Sequence, residues 1–321
     1  INEPSVVAVN TRTDEILAVG MEAMKMVGKT PAHIQAIKPL VDGVISDFEV
    51  TEKMLKYFID KVHSESFTLI PRPRVVIGIP LDITEVEKKA VEDAAKSAGA
   101  RQVFLIEESM AAAIGAGLPV ADPTATMIVD IGGGTTEISV ISLGGVVTYK
   151  TLRQAGNEMD NNIVQYIREE FNILIGEQVA EKTKIKIGSA TPLKEPIEME
   201  VRGRDLINGL PKAVIIKDSQ VREAISRTVN QIIENIKITL ETTPPELVSD
   251  IYEHGIILAG GGALLRGLDK EIAQATKIPV RIVDDPLTCV VRGAGALLSD
   301  PELLDTVLSP GSDAFYCFFK F

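Results

Sequence analysis

The fold is decided by one stretch of sequence, Val129-Asp130-Ile131-Gly132-Gly133-Gly134-Thr135-Thr136-Glu137. It begins in an apolar strand predicted over residues 127–131, turns over three glycines and a threonine, and continues into a second strand over 137–142. A glycine pair then turns the chain into a third strand, over 146–151. The pattern predicts an antiparallel meander of three strands, continued by helices into a mixed sheet.

The first glycine turn, Gly132-Gly133-Gly134-Thr135, has more glycines than a tight hairpin requires. Because glycine has no Cβ, its backbone amides can approach phosphate oxygens, and consecutive amides form an anion-binding nest. Asp130, at the strand end, can hold Mg²⁺ through the water shell of the ion, since Mg²⁺ prefers hard oxygen ligands. The Thr135 hydroxyl can bond a phosphate or an attacking water. We interpret the turn as a phosphate site rather than a capped hairpin.

A second glycine turn, Gly260-Gly261-Gly262-Ala263, follows an apolar strand over 255–258 and precedes a predicted helix. That order aims free helix amides at an anion and lets an adenosine lie on the backbone. The turn matches neither a dinucleotide-binding motif nor a Walker motif.

A carboxylate pair, Glu107-Glu108, lies where a predicted strand meets an alanine-rich helix over 110–116. A carboxylate at such a junction can polarise water for attack on a γ-phosphate. Acidic residues also favour the first turn of any helix, because they interact with its dipole. This motif alone leaves both interpretations open.

The rest of the chain shows the same alternation of strands and helices. A strand over 75–79, a capping box from Thr84 to Glu87 and a strand over 103–106 predict a βαβ unit, whose helix should bury Val86, Ala90, Val91, Ala94 and Ala98. The polar residues 176–216 resemble an inserted subdomain with two short strands. A long amphipathic helix follows from Ser219 to the proline pair at Pro244.

Composition narrows the class of protein. A length of 321 residues predicts two domains, and a net charge of −12 argues against nucleic acid as a partner. The two cysteines form no CxxC pair, which favours a reducing cytoplasm. No apolar run reaches the ~18 residues that a membrane-spanning helix needs.

Four longer motifs, over residues 106–115, 129–137, 155–160 and 260–268, resemble the MreB family of bacterial actins. Residues 71–75 and 243–247 are also similar to it, and the resemblance covers roughly residues 2–300. It implies an α/β protein with the actin-like fold: two mixed-sheet domains, each with a smaller inserted subdomain, and a nucleotide cleft between them. The implied division places domain I at 1–9, 43–122 and 290–310, its subdomain at 10–42, domain II at 123–158 and 229–289, its subdomain at 159–228, and an atypical tail at 311–321.

The resemblance also assigns roles to residues in an ATP and Mg²⁺ site. It implies that Glu108 is the catalytic carboxylate that orients water, that Thr135 helps to place this water, and that Asp130 lies on the magnesium side. The implied nucleotide-binding residues are Gly132, Gly133, Gly134 and Thr135 for the phosphates, Glu181, Lys182, Thr183 and Lys184 for the ribose and adenine, and Gly260, Gly261, Gly262 and Ala263 for the adenosine and innermost phosphate.

The function implied is that of an ATP-dependent cytoskeletal protein, a slow ATPase that polymerises into filaments directing cell shape and cell-wall synthesis. Its partners would be further copies of itself, the cytoplasmic face of the inner membrane, where it would be peripheral, and membrane proteins of cell-shape and cell-wall synthesis. Phe67, Leu69 and Ile70, flanked by basic residues, suit an anionic lipid interface. Packing of these three side chains onto the subunit is the alternative, and the aromatic C-terminal tail is a competing anchor.

Three departures from the family pattern bear on function. The first phosphate loop, Asp-x-Gly-Thr-x-Asn, would precede Asn2 and is not part of the sequence, so hydrolysis depends on whether a preceding segment supplies it. Ser109 replaces the usual proline, and the tail after Pro310 matches no expected pattern. Two alternatives therefore remain: a non-hydrolysing actin-fold scaffold, favoured by the missing loop, and a chaperone-type ATPase domain, which has a similar phosphate motif.

Overall fold

The structure is a computed structural model that describes residues 1–64 and 72–307. It divides into two compact units, one from Ile1 to Leu105 and one beginning at Ile106. Among the described residues, no helix is long and apolar enough to cross a membrane.

The first unit is built from short strands and three helices. Its elements, in chain order, are β1 (Val7–Asn10), β2 (Glu15–Val19), α1 (Met21–Met24), β3 (Ile34–Ile37), β4 (Leu40–Val41), β5 (Val44–Ile45), α2 (Phe48–His63), β6 (Arg74–Ile79), α3 (Glu85–Ser97) and β7 (Gln102–Glu107), the last of which runs into the second unit. Strand β1 pairs antiparallel with β2 on one side and β3 on the other. Strands β4 and β5 form a hairpin, and β6 pairs with β7.

The predicted strand–helix–strand unit is present as β6, α3 and β7. Its capping box is confirmed: the Glu87 N–H donates to Thr84 Oγ1, and the Thr84 N–H donates to the Glu87 carboxylate at 2.8 Å. Ala94 and Ala98 are buried as expected. The prediction for Val86 was wrong, since its side chain is 80% exposed. Val86 lies in the first turn of α3, where the periodicity of a helix does not by itself show which residues a neighbouring element covers.

The second unit contains the larger core. Its elements are α4 (Glu108–Gly115), β8 (Thr126–Ile131), β9 (Thr136–Ser142), β10 (Gly145–Leu152), α5 (Gly156–Phe171), β11 (Ile173–Leu174), α6 (Glu177–Ile187), β12 (Glu198–Asp205), β13 (Pro211–Lys217), α7 (Asp218–Thr242), α8 (Pro245–His254), β14 (Ile256–Ala259), α9 (Leu268–Thr276), β15 (Val280–Ile282), α10 (Cys289–Ser299) and α11 (Pro301–Val307), with short 3₁₀ helices at Gly261–Leu264 and Pro286–Thr288.

A five-stranded mixed sheet organises this unit, in the order β10-β9-β8-β14-β15. The predicted meander is confirmed, because β8, β9 and β10 pair antiparallel in sequence. Strand β14 then pairs parallel with β8, so that Ala259 lies opposite Asp130. Every residue of β8 and β9 is buried, which is expected of central strands covered on both faces.

The helices of this unit bury the faces that the sequence pattern predicts. Helix α7 turns Val221, Ile225, Val229, Ile232 and Ile236 into the core. Burial of such side chains contributes about 1.5–3 kcal/mol each. The two strands predicted in the polar segment are present as β12 and β13, and they form a three-stranded sheet with β11, which precedes the segment and was not predicted.

Candidate functional site

The two glycine turns begin at neighbouring strand ends. Strands β8 and β14 run parallel and are paired up to Asp130 and Ala259, so both turns leave the sheet at its carboxyl edge. In open α/β sheets, ligands bind in the crevice at this edge. Two turns that lie 128 residues apart in sequence (132 to 260) are thereby brought together.

Hydrogen bonds from the first residues of helix α5 hold the first turn in place. The Gly132 N–H closes the turn by donating to the Thr135 carbonyl at 2.9 Å. The Gly156 and Asn157 N–H groups, at the start of α5, donate to the carbonyls of Gly132 (3.1 Å) and Gly133 (2.8 Å). Thr135 is buried beside this turn. Backbone carbonyls that are engaged by α5 hold the turn in one conformation, as a preorganised anion site requires.

Position 260 requires a glycine because of both its backbone conformation and the lack of room for a side chain. Its φ is +78°, in the region that favours glycine, and a Cβ there would lie 2.4 Å from both Asp130 Oδ1 and the Ile131 carbonyl. A Cβ on Gly262 would lie 2.2 Å from Ile131 Cγ2. The second turn therefore packs directly on the end of β8, which no larger residue would allow.

The helix predicted after the second turn was wrong in type. The chain forms a single 3₁₀ turn over Gly261–Leu264, and α9 begins only at Leu268. The Gly260 N–H is bound by the Pro286 carbonyl at 3.1 Å, which fixes the direction in which the chain leaves β14. A four-residue 3₁₀ helix supplies far less dipole than the α-helix that the sequence pattern suggested.

Glu108 is the first residue of α4, directly after β7, as the sequence predicts. Helix α4 is fixed by an unusually close crossing with α10: a Cβ on Gly115 would lie 1.9 Å from the Cys289 carbonyl, and one on Gly293 would lie 1.9 Å from that of Ala111. The thiol of Cys289 donates to the Ala112 carbonyl at 3.0 Å. The backbone that carries Glu108 is therefore tightly positioned.

Glu108, which is half-buried, and Asp130, which is buried, form an acidic pair. Burial raises the pKa of Glu108 above its ordinary value. Burial also raises the pKa of Asp130 to about 7, and the nearby charge of Glu108 adds to this shift. No cation among the described residues lowers either pKa. Two neighbouring carboxylates with raised pKa values and no cationic partner among the described residues are typical of a functional site, because such an arrangement is unfavourable until a cation or ligand arrives.

Glu137 is 1% exposed, and the sequence analysis assigns it no role. Glu137 lies opposite Asp130 in the β8–β9 pairing, and its carboxylate accepts the Ser109 N–H at 3.2 Å. It thus links β9 to the start of α4, next to Glu108. A proline at position 109, which the resemblance predicts, would have no N–H to donate. The available signal was a charged residue inside the otherwise uncharged strand 136–142.

The four residues predicted to bind the ribose and adenine all lie on α6 but differ in how far they are buried. Glu181 and Lys182 are exposed. Thr183 is fully buried, and its hydroxyl donates to the Val179 carbonyl at 2.7 Å. The Lys184 ammonium donates to the Gly156 carbonyl at 2.8 Å and to Asp160 at 3.0 Å, behind the first glycine turn.

The residues of this site fit a divalent cation that keeps most of its water ligands. The described residues contain no group of three or more His, Cys, Asp or Glu side chains arranged to hold a metal ion. Asp130 offers one buried carboxylate beside a turn suited to phosphate. Mg²⁺ keeps most of its water and takes one or two carboxylates together with phosphate oxygens, so a single Asp is consistent with it.

A cavity of about 270 Å³ lies in the first unit between α2, β6 and α3. Apolar side chains line most of it, including Leu55, Phe58, Val62, Val75 and Ile77. It offers no set of donors for phosphate, so we do not place a nucleotide there. The predicted lipid-facing residues Phe67, Leu69 and Ile70 lie outside the described residues.

Comparison with known proteins identifies a family and solved structures that the chain resembles. The family described as MreB/Mbl protein matches residues 1–306. The cell shape-determining protein MreB of Escherichia coli K12 is 50% identical over 309 residues, 95% of this chain and 88% of that protein. The crystal structure of MreB5 of Spiroplasma citri bound to AMPPNP aligns with a TM-score of 0.89 at 38% identity, covering 94% of this chain and 90% of that one. The MamK double helical filament aligns at 0.77 and 25% identity, covering 92% and 91%.

The fold and the paired glycine turns therefore define a protein of the actin-like class. Because the family match extends over nearly the whole chain and relatives are about half identical, the chain belongs to the MreB/Mbl family.

Proposed function

We propose that this protein binds MgATP at its two glycine turns and hydrolyses it slowly, with Glu108 orienting the attacking water and Thr135 helping to place it. The observation that carries the proposal is that both glycine turns leave one edge of the β8–β14 pair beside Asp130, whose pKa is raised by burial and by the nearby Glu108. The structure of MreB5 of Spiroplasma citri bound to AMPPNP supports it.

Each group has a distinct task in this proposal. The amides of Gly133 and Gly134 bind phosphate oxygens, while the Gly132 amide closes the turn on the Thr135 carbonyl. Gly260 to Ala263 lie against the adenosine and innermost phosphate. Glu181 and Lys182, which are exposed on α6, form the ribose and adenine side together with the backbone of Thr183 and Lys184, whose side chains are bonded within the protein. Mg²⁺, when bound, neutralises phosphate charge, and Asp130 would hold its water shell. With Asp130 engaged by the water shell of Mg²⁺, its charge would be offset. Glu108 would then be the carboxylate that orients the attacking water.

The alternatives are a non-hydrolysing scaffold that uses nucleotide only to fix its conformation, and a chaperone-type ATPase domain. Phosphate release should be measured on the chain as it stands and on the chain preceded by the family's Asp-x-Gly-Thr-x-Asn segment. Nucleotide binding with no release in either protein would favour the scaffold. Release stimulated by unfolded peptide, without assembly, would favour the chaperone. The division into two domains with inserted subdomains at the boundaries given above is part of the same proposal.

We expect ATP to drive assembly into filaments whose contacts run along the subunit axis. The MamK double helical filament, which shares this fold, supports the expectation. Sedimentation and electron microscopy should show polymer with MgATP and little polymer in EDTA without nucleotide. A chain that stays monomeric at high concentration with MgATP, and with the first phosphate segment present, would contradict the proposal.

We propose further that the filaments lie on the cytoplasmic face of the inner membrane, together with membrane proteins of cell-shape and cell-wall synthesis. The support is sequence chemistry: Phe67, Leu69 and Ile70 occur between the basic C-terminal turn of α2 and Arg72 and Arg74. Inserting three such side chains into lipid yields about 4–8 kcal/mol by area bookkeeping. One subunit would therefore bind weakly, and a filament would bind firmly through many copies.

The triple variant Phe67→Ser, Leu69→Ser, Ile70→Ser should lose most co-sedimentation with anionic liposomes, because its apolar anchor is gone. A matched control is Ile207→Ser with Leu210→Ser, which removes exposed apolar side chains elsewhere; Ile207 is 81% exposed. The control should bind as wild type does. Unchanged binding by the triple variant, with loss of binding on deleting residues 311–321, would assign the contact to the tail instead.

A further inference from the structure

Asp160 is a buried carboxylate on α5 for which the catalytic proposal has no use. It is 7% exposed. Its Oδ2 accepts the Lys184 ammonium at 3.0 Å, and its Oδ1 is buried without a hydrogen-bond partner among the described residues. Burying a carboxylate with one oxygen unsatisfied is unfavourable. A group kept at that cost calls for an explanation beyond packing.

The contacts of Lys184 lead from Asp160 to the first glycine turn. The same ammonium donates to the Gly156 carbonyl at 2.8 Å. The Gly156 N–H in turn donates to the Gly132 carbonyl. There is little spare room here: a Cβ on Gly156 would lie 3.2 Å from the Gly132 carbonyl oxygen and 3.3 Å from Lys184 Nζ. Asp160, Lys184 and Gly156 therefore form one continuous support beneath the turn.

An anion beside Lys184 offsets the cost of placing its ammonium here. Its ammonium lies against the first residue of α5, where the helix dipole is positive and repels a cation. Its side chain is only 16% exposed, so water screens little of that repulsion. Asp160 follows Gly156 by four residues and so lies on the same face of α5. Burial raises the pKa of Asp160 to about 6 while Lys184 lowers it, so the carboxylate is ionised at pH 7.5.

Helix α6 is also tied to the second glycine turn. The Arg266 guanidinium, just after that turn, donates to the carbonyls of Ile185 and Gly188, each at 3.2 Å. The Ala190 N–H donates to the Arg266 carbonyl at 2.7 Å. Helix α6 is thus connected to both glycine turns: to the first through Lys184 and its contact with Asp160, and to the second through Arg266.

We propose that Asp160 is a positioning residue for nucleotide phosphates: it holds Lys184 against the start of α5 and thereby fixes the Gly132–Gly133 backbone. The inference rests on the proposed nucleotide site. Asp160 touches no ligand in this role and acts through Lys184. Removing either side chain frees the turn, and removing both does no further harm.

A double-mutant cycle tests this through the dissociation constant of MgADP, measured by calorimetry at pH 7.5 with Asp160→Ala, Lys184→Met and the double variant. Each single change should weaken binding by about 2- to 150-fold, the range that corresponds to the interaction energies of coupled residues in contact. The double variant should bind no more weakly than Lys184→Met alone. Asp160→Asn, which keeps an acceptor for Lys184 and nearly the same shape, should fall between wild type and Asp160→Ala and serves if the alanine variant does not fold.

The matched control is Asp205→Ala. Asp205 is also 7% exposed and also binds a lysine, Lys212, at 3.2 Å, but this pair lies on the β12–β13 hairpin. The control should lower the melting temperature and leave the MgADP dissociation constant unchanged. Wild-type affinity in Asp160→Ala, or strictly additive losses in the cycle, would overturn the positioning role while leaving the nucleotide site standing. Failure of the wild-type protein to bind MgADP would overturn both proposals.

Discussion

Replacing Glu108 by alanine should lower phosphate release by about 10²- to 10⁴-fold, the usual contribution of a positioned acid–base group. The dissociation constant of MgATP should change little, because the phosphates and adenosine are bound by the glycine turns. Single-turnover phosphate release, beside equilibrium binding of a fluorescent ATP analogue, separates the two quantities. Glu108→Gln keeps the size of the side chain and should show the same loss.

The control for this variant is Glu246→Ala. Glu246 is an exposed carboxylate in the first turn of α8, so its removal tests the general effect of deleting an acidic residue at a helix start. We expect wild-type phosphate release from it. Wild-type turnover in Glu108→Ala would disprove the assignment. Loss of nucleotide binding together with turnover would show that Glu108 shapes the site rather than orienting water.

Replacing Asp130 by asparagine should stabilise the protein without nucleotide or metal at pH 8. The pKa of Asp130 is about 7 in the folded chain, against 3.8 as its ordinary value. Below pH 4 the carboxyl is protonated in both the folded and unfolded states. Between pH 4 and pH 7 the unfolded state loses its proton first, so the free energy of unfolding falls as pH rises. A shift of this size corresponds to an upper limit of about 4 kcal/mol, at 1.36 kcal/mol per pKa unit.

Urea denaturation in EDTA, at pH 5 and at pH 8, measures this effect. Asp130→Asn should exceed wild type by roughly 2–4 kcal/mol at pH 8 and by less at pH 5. Asp205→Asn is the control of opposite sign, because the Ile207 N–H and Lys212 lower the pKa of Asp205, and its removal should destabilise the protein at pH 8. An Asp130→Asn variant no more stable than wild type at pH 8 would show that Asp130 has an unidentified favourable partner.

The two predictions have a common basis. A site that gathers Glu108 and Asp130 away from water is least stable when empty, and it gains most when a cation and phosphates enter. Stability given up at a site in exchange for function is common in proteins. Binding of MgATP should therefore raise the melting temperature by more than its contacts with the turns alone would, since it also relieves the buried charge.

Local sequence was sufficient wherever short-range bonds and periodicity decide structure. The capping box of Thr84 and Glu87 spans three residues, and both of its hydrogen bonds form. The meander follows from two turns, although Leu143 and Gly144, which both have positive φ, form the second turn in place of the predicted glycine pair. The apolar stripe of α7 repeats with the period of a helix, so its buried face could be read directly. Glu108, Asp130 and the two glycine turns were singled out for the same reason: each is a short pattern with its own chemistry.

Only the tertiary structure decided how distant segments meet. The pairing of β14 with β8 joins residues more than 120 positions apart, and only this pairing places Gly260 against Asp130. The 3₁₀ turn after Gly260 replaces a predicted helix because Ile131 and the Pro286 carbonyl constrain the chain there. Glu137 and Asp160 lie within motifs that carry the resemblance, but their roles depend on partners, Ser109 and Lys184, that lie 28 and 24 residues away. Periodicity and capping act over a few residues, whereas these contacts depend on which strands pair and which helices cover them, and the free energy that selects those pairings comes from burial of the whole core.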